Sequence, residues 1–366
     1  MTDADLTGVR VAIANWRDPW HPQAGGAERY AWMMARGLVS RGARVTFLTA
    51  RAPGQSRRDC RDGIAIVRLG GRFTVYPLVL AAVLTHRRSY DAVIDCQNGL
   101  PFLTPLVLPA QTPAVLVVHH VHTEQFGVHF PAWAAWLGRF LEGPVSRVVY
   151  RRSQAVAVSP STIAAMRERL RWTGPIELIP NGCSSAAGSG AASKAGTSLV
   201  WVGRLVLHKR AELLLDVAER LGVPIDVVGR GPEAASLAAA IEARGLGGLV
   251  RLRGFLSDAD KQAVVAGSLL HLNTSSGEGW GLCVLEAAAA GVPTVAFDVE
   301  GLRDAVLDGQ TGWLVRDGMA LADVVEQALK ELSDPARRAE VAAACRAWAA
   351  RFDWDQSAAQ LAALLS

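Results

Sequence analysis

The chain has 366 residues and a formal net charge of +4; half of it is apolar, 20% is charged, and it holds 35 Gly, 17 Pro and 5 Cys. At roughly 100–200 residues per domain that length predicts two domains, and this apolar content excludes disorder as the main state. Cys60, Cys96, Cys183, Cys283 and Cys345 are odd in number, scattered and in no CxxC pair, which excludes a disulfide scaffold and fits a reducing cytoplasm.

Met1 to Leu6 carries acid where an export signal needs a basic start, so no signal is expected and the location is read as cytoplasmic. Apolar β-branched runs then alternate with helical-period segments, the pattern of βα units and parallel sheets. In the first half the expected strands are Val9–Ala14, Val45–Thr49, Ile64–Leu69, Ala92–Asp95, Val115–His119, Ala155–Val158 and Glu177–Ile179. The longest uncharged stretch, Gln97 to Val118, is interrupted by Pro101, Pro105, Pro109 and Pro113 and is read as loops and a strand rather than a membrane span. Residues 184–197, almost all Ser, Ala and Gly, are expected to form a flexible linker. Beyond it the expected strands are Leu199–Val202, Ile225–Val228, Val250–Leu252, Leu269–Leu272, Thr294–Phe297 and Trp313–Val315. Two helical patterns close the chain, the first opened by Asp334-Pro335. The expected organisation is a domain over 1–183, the linker, a second domain over 198–345, and a C-terminal helix in 346–366 that crosses back to the first.

Charge divides unevenly between the halves. Residues 1–183 hold 21 Arg and no Lys against 12 acids, net +9, whereas residues 184–366 hold 17 bases against 22 acids, net −5. No nucleic-acid recognition motif accompanies the basic half, so nucleic acid is not expected as a partner.

The most specific segment is Ser275-Ser-Gly-Glu-Gly-Trp-Gly-Leu-Cys-Val-Leu-Glu286, which follows a strand and opens an Ala-rich helix. Its glycines offer bare backbone N–H groups at a helix N-terminus, a seat for phosphate, while Glu278 and Glu286 are suited to accepting hydrogen bonds from ligand hydroxyls. In Val202-Gly-Arg-Leu-Val-Leu-His-Lys209, Arg204 and Lys209 stand near a strand's carboxyl end, where open α/β sheets bind ligands. The bland alternatives are an ordinary βα turn and a solvated basic loop.

Together these segments resemble the retaining glycosyltransferases of family 4, whose signature is E-x7-E in the form EGxG…LEA. Gly203-Arg-Leu with the following Lys209, Val228-Gly-Arg-Gly-Pro232, Arg253-Gly-Phe-Leu-Ser257, Pro180-Asn-Gly182 and Gly25-Gly-Ala-Glu28 are similar to that family's landmarks, in its order. The resemblance implies the GT-B fold, two doubly wound Rossmann-like α/β domains facing each other across a cleft. It also implies transfer of a hexose-type sugar from a nucleoside-diphosphate sugar to a lipid-linked, polysaccharide or small-metabolite acceptor, with no cofactor and no metal. On the matching positions it implies catalytic roles for Glu278, His119, Arg204 and Lys209. Donor binding is implied for Glu286, Gly279, Trp280, Gly281, Leu282, Gly25, Gly26, Gly203, Gly229, Phe255 and Leu256, and the acceptor side is expected at His120, His122 and Glu124. Glu300-Gly-Leu302 and Asp304 depart from the family, which more often has GG and Glu there.

Competing readings stay open. His119, His120, His122 and His129 could suggest a metal site, but a strand end sends His119 and His120 to opposite faces. Asp258-Ala-Asp260 fits a DxD metal motif formally, and fits helix capping with Ser257 better. Gly229-Arg-Gly-Pro-Glu-Ala234 satisfies the GxGxxA dinucleotide fingerprint, with Arg251 and Arg253 downstream, so an NADP-dependent oxidoreductase is the runner-up. A noncatalytic sugar-nucleotide-binding protein is the third. Phe73–Thr85 and Phe130–Phe140 are apolar with Arg nearby: the reading preferred is helix faces turned to the core, the alternative a patch resting peripherally on anionic membrane at its inner face.

Overall fold

The computed structural model describes residues 4–183 and 196–365, without the side chains of residues 128 and 129, so the expected linker lies almost wholly outside the described residues. The chain divides into two compact units: Met1–Gly182 with Trp354–Ser366, and Cys183–Asp353.

The first unit is built on an eight-stranded sheet: β1 (Arg10–Ala14), β2 (Arg44–Thr49), β3 (Arg58–Arg61), β4 (Ile64–Arg68), β5 (Ala92–Asn98), β6 (Ala114–His120), β7 (Gln154–Ala157) and β8 (Ile176–Leu178). The order is β3-β4-β2-β1-β5-β6-β7-β8, parallel except for the β3–β4 pair. Central strands β5 and β6 are buried nearly throughout, which is why Ala92–Ile94 and Ala114–Val118 read as apolar runs in the sequence. Strand β3 escapes that reading because Arg58-Asp-Cys-Arg61 is a charged, mostly exposed edge. Its turn is nevertheless written in Asp62-Gly63, whose φ values of 51° and 77° suit a two-residue hairpin loop. Around the sheet lie α1 (Gly26–Ser40), α2 (Val75–Thr85), α3 (Gln125–His129), α4 (Ala132–Phe140), α5 (Ser146–Val149) and α6 (Pro160–Glu168), with a π-helical turn, Leu141–Val145, between α4 and α5.

In the second unit β9 (Leu199–Val202), β10 (Ile225–Val228), β11 (Val250–Gly254), β12 (Leu270–Asn273), β13 (Thr294–Phe297) and β14 (Gly312–Val315) form an all-parallel sheet ordered β11-β10-β9-β12-β13-β14. Its helices are α7 (Leu213–Leu221), α8 (Ala234–Ala243), α9 (Asp258–Ala266), α10 (Leu282–Ala289), α11 (Leu302–Ala305), α12 (Leu321–Leu332) and α13 (Pro335–Ala349). The chain winds from β9 outward to β11 and then restarts on β9's other side at β12. A crevice therefore opens at the carboxyl ends of β9 and β12, the switch point at which such sheets take ligands.

The return to the first unit comes later than residue 346. Arg346 lies inside α13, which Val341, Cys345 and Ala349 anchor in the second unit's core. The chain crosses at Asp353/Trp354, and only α14 (Trp354–Ala363) belongs to the first unit. There α14 packs on α1 so closely that a Cβ on Gly37 would fall 2.2 Å from that of Ala358. Arg41 also holds it, through Asp355 Oδ1 at 3.0 Å. Among the described residues no helix is long and apolar enough to cross a membrane.

Candidate functional site

Both loops that leave the β9/β12 switch point carry charge, and they are stitched together. Thr274, just after β12, donates its hydroxyl to Lys209 O at 2.5 Å and accepts from Trp201 Nε1 at 3.0 Å. Arg210, held at φ 48°, donates to the carbonyls of Thr274 and Ser275 at 2.8 and 3.1 Å and lies over the Phe297 ring. This lattice places Lys209 Nζ on Glu278 Oε1, and Ser275 Oγ donates to the same oxygen at 2.8 Å.

The Glu278 carboxyl is pushed up by burial, but the opposed Lys209 charge, the hydrogen bonds from Lys209 and Ser275, and the neighbouring His208 outweigh burial and hold it below its ordinary value. Glu278 is therefore an acceptor and not a proton donor at neutral pH. Glu286, one turn into α10, meets Lys261 of α9 at 2.9 Å, and that lysine also approaches Asp258 at 3.3 Å. Lys261 is the residue that sequence reasoning passed over: only the packing of α9 beside α10 reveals it.

The helix α10 begins after Gly281, whose φ of 96° favours glycine. Leu282 is its first residue, half-buried. Trp280 is buried edge-on against Phe352 with centroids 5.1 Å apart, so its ring is packing and only its main chain can meet a ligand. Gly279 is half-buried beside Glu278, and Gly301 is required because a Cβ there would sit 2.3 Å from Glu278 O. Arg204 is half-buried in the β9 loop, and Phe255 is exposed with the Arg230 guanidinium 4.5 Å from its ring centroid. Leu256 packs against the cluster of Val200, Val228 and Val265.

The geometry gives the dinucleotide reading no support. A Cβ on Gly229 would lie 1.8 Å from Gly203 O, and one on Gly231 2.1 Å from Leu205 O, so these glycines let one loop rest on the next. Gly203 likewise faces the Trp201 ring. Arg251 and Arg253 are engaged by the buried Asp226 at 3.0 and 2.7 Å and are not poised for a 2′-phosphate. At 258–260 Ser257 accepts from Asp260 N at 3.1 Å, so the two aspartates lie in the first turn of α9 as capping requires.

In the first unit the corresponding switch point lies between β1 and β5. Gly25 caps α1 and donates to Glu28 Oε2 at 2.8 Å; Gly26 opens the helix with open space where a Cβ would be. His119 is buried against the Tyr30 ring, and burial, with His122 nearby, lowers its pKa to about 3. Among the described residues its buried Nε2 has no hydrogen-bond partner, and with so low a pKa the ring is neutral near pH 7. His120 and His122 sit edge to face, His122 Nδ1 lies 2.9 Å from His120 O, and exposed Glu124 approaches Arg169 at 3.8 Å. Glu142, unsuspected in the sequence, organises this loop. From the buried π-helical turn it accepts His122 N at 2.7 Å, Thr123 Oγ1 at 3.2 Å and Gln97 Nε2 at 3.4 Å.

Both halves of the chain match family models. The family model "Glycosyltransferase Family 4" matches residues 24–186, and "Glycosyl transferases group 1" matches residues 190–346. The glycogen synthase of Mycobacterium tuberculosis is 30% identical over 96% of this chain and 79% of its own length. The D-inositol 3-phosphate glycosyltransferase of Xylanimonas cellulosilytica is 28% identical over 97% and 95%. Among solved structures, sucrose-phosphate synthase from Thermosynechococcus elongatus superposes with a TM-score of 0.80 at 20% identity, over 97% of this chain and 98% of that one.

Proposed function

The chain belongs to the group 1 and family 4 glycosyltransferases, and from that membership we propose that it moves a hexosyl group from a nucleoside-diphosphate sugar to an acceptor hydroxyl, with anomeric retention and without a metal ion. The observation that carries this reading is the Lys209–Glu278 pair at the β9/β12 switch point, in front of the N-terminus of α10.

The charge that develops during transfer lies on the departing diphosphate. Lys209, Arg204 and the first N–H groups of α10 supply compensating positive charge, the electrostatic stabilisation that dominates such reactions. Once a diphosphate shares Lys209, the ionised Glu278 is left to accept hydrogen bonds from sugar hydroxyls. Glu286 takes the ribose hydroxyls, with Lys261 beside it as a second cation. Arg253 to Leu256 hold the base through main chain, Arg253 itself being committed to Asp226. These cations make a metal unnecessary for neutralising the leaving group. In the first unit, His119, His120, His122 and Glu124 form the acceptor side, with the neutral His119 ring serving position and not proton transfer. The names of the two relatives, one for an inositol phosphate and one for glycogen, set the first acceptors to try.

Thermal-shift measurements against UDP, GDP, ADP, TDP and NADP test the donor class. Stabilisation by a nucleoside diphosphate is expected, and stabilisation by NADP alone would overturn it. The product's anomeric proton, read by NMR, tests retention. Turnover that survives chelation supports metal independence, and loss restored by Mg²⁺ refutes it. Lys209→Ala is expected to abolish turnover and Glu286→Ala to raise donor KM.

A further inference from the structure

Helix α4 is built inside out. Its inward positions are small, Ala135 and Gly138, and a Cβ on Gly138 would lie 2.8 Å from the Phe126 ring. Its large residues face solvent: Trp133 is 72% exposed, Trp136 63%, and Leu137 and Phe140 are also exposed, with Trp136 and Phe140 stacked at 5.4 Å. The expectation that 130–140 turns its aromatic residues to the core is therefore wrong. In a water-soluble helix the burial term favours the reverse arrangement, and an exposed cluster of this kind marks a contact surface.

The cluster continues onto α2. That helix buries Val75, Val79 and Val83 on one stripe and shows Leu78 and Leu84 to solvent, with no charged residue between Val75 and Thr85. Arg72 bridges the two elements: its guanidinium lies 5.0 Å from the ring centroid of exposed Phe73 and 6.0 Å from that of Phe130, just before α4. At the far end of α2, Leu84, Thr85, Arg87, Arg88 and Ser89 line an open depression.

Charge selects the occupant. Between Asp62 and Asp91, and between Glu124 and Glu142, there is no acidic residue, while Arg72, Arg87, Arg88 and Arg139 are all exposed. Of the four flanking acids, Glu142 is fully buried and the other three sit in ion pairs: Asp62 with Arg36, Asp91 with Arg10 and Glu124 with Arg169. Exposed Trp at the level of headgroups, aliphatic residues below and Arg around the rim is the composition of a surface that rests on anionic lipid.

We propose that α4, the outer face of α2 and the Arg72–Phe73 turn form one docking surface for an anionic phospholipid bilayer, the aromatic residues entering the interface and Arg72, Arg87, Arg88 and Arg139 meeting lipid phosphates. This goes beyond the donor chemistry and does not depend on it. The test is cosedimentation of the full chain with phosphatidylcholine vesicles and with equimolar phosphatidylcholine/phosphatidylglycerol vesicles at low and high salt, with light scattering for oligomeric state. Binding to the anionic vesicles only, weakened by salt, is expected. At about 1 kcal/mol per basic residue near such a surface, Arg87→Ser with Arg88→Ser lowers partitioning about 30-fold. Trp136→Glu abolishes it; both positions are exposed, so melting temperature and nucleotide binding should stay as in the wild type. No sedimentation with anionic vesicles at low salt, or equal sedimentation of wild type and both variants, overturns the proposal. So does a dimer that Trp136→Glu disperses in the absence of vesicle binding, which would assign the surface to a second copy.

Discussion

Replacing Lys209 by Met keeps most of the side-chain volume and removes the charge opposite Glu278. The lysine and glutamate side chains are 14% and 17% exposed, so the remaining carboxylate would be left largely desolvated. Breaking a fully buried pair costs about 3–5 kcal/mol; the residual solvent access and the Ser275 hydrogen bond reduce this to about 2 kcal/mol here. For a unit of this size that corresponds to a melting temperature lower by about 4–8 °C at neutral pH. The gap depends on pH. In the wild type the folded carboxyl titrates below its ordinary 4.5, so its stabilisation is present above that value and fades as pH falls through the folded pKa. Without Lys209, burial dominates and the folded pKa lies above 4.5, so the variant loses stability as pH rises toward that raised value. Calorimetric melting of the ligand-free chain should therefore show a gap that narrows as pH falls from 7 toward 4.5 and closes only below 4.5, where the wild-type carboxyl protonates as well. A gap of constant size from pH 4.5 to 8 would refute the argument, because the loss would then lie in packing of the lysine stem.

Three further outcomes are expected. His271 is buried in β12 on Thr294 Oγ1, and burial, with Lys209, lowers its pKa to about 3. A group so depressed costs stability as pH falls below its unfolded 6.5, by about 2 kcal/mol between pH 7 and 5, so His271→Gln should flatten that limb of a urea-denaturation series. Gly229→Ala must displace the Gly203 carbonyl from 1.8 Å at a φ of 146°, and urea unfolding should show a loss of at least about 3 kcal/mol. Glu142→Ala strips the acceptor from His122 N and Thr123 Oγ1, costing about 2 kcal/mol or more, and hydrogen exchange should rise at residues 120–124 before it rises in β6.

What could be read from the amino-acid order differs by the kind of physics involved. Parallel strands buried on both faces announce themselves as apolar runs; among the described residues thirteen of fourteen strands were legible, the exposed edges β8 and β11 through their alternating apolar residues, and the charged edge β3 was not. Glycine is a weaker guide because it reports only that something approaches the backbone. Gly281 supplies the left-handed backbone at the start of α10, whereas Gly203 and Gly229 are demanded by a tryptophan ring and a neighbouring carbonyl. The apolar stripe of α4 was equally ambiguous, since periodicity marks a face without saying which side is the interior; the small residues turned out to be inside.

Ion pairing is the least legible of all, and at this site it matters most. Lys209 and Glu278 are 69 positions apart in the chain and Lys261 and Glu286 are 25 apart, and nothing in their local sequence couples them. Strand order does. Because β12 is laid down against β9 instead of beyond β11, the loops after these two strands share one crevice, and the cation of one must neutralise the carboxylate of the other until a ligand separates them. If the ligand is the proposed sugar nucleotide, each pair sets a cost that it must offset: it must bring enough negative charge to engage a lysine and enough hydroxyls to satisfy a carboxylate. A nucleoside-diphosphate sugar carries both on one molecule. Inorganic pyrophosphate brings only the charge and a free hexose only the hydroxyls, so each should stabilise the chain far less than the intact donor at equal concentration. If pyrophosphate alone reproduced the donor's full melting shift, the carboxylates would have no part in donor recognition.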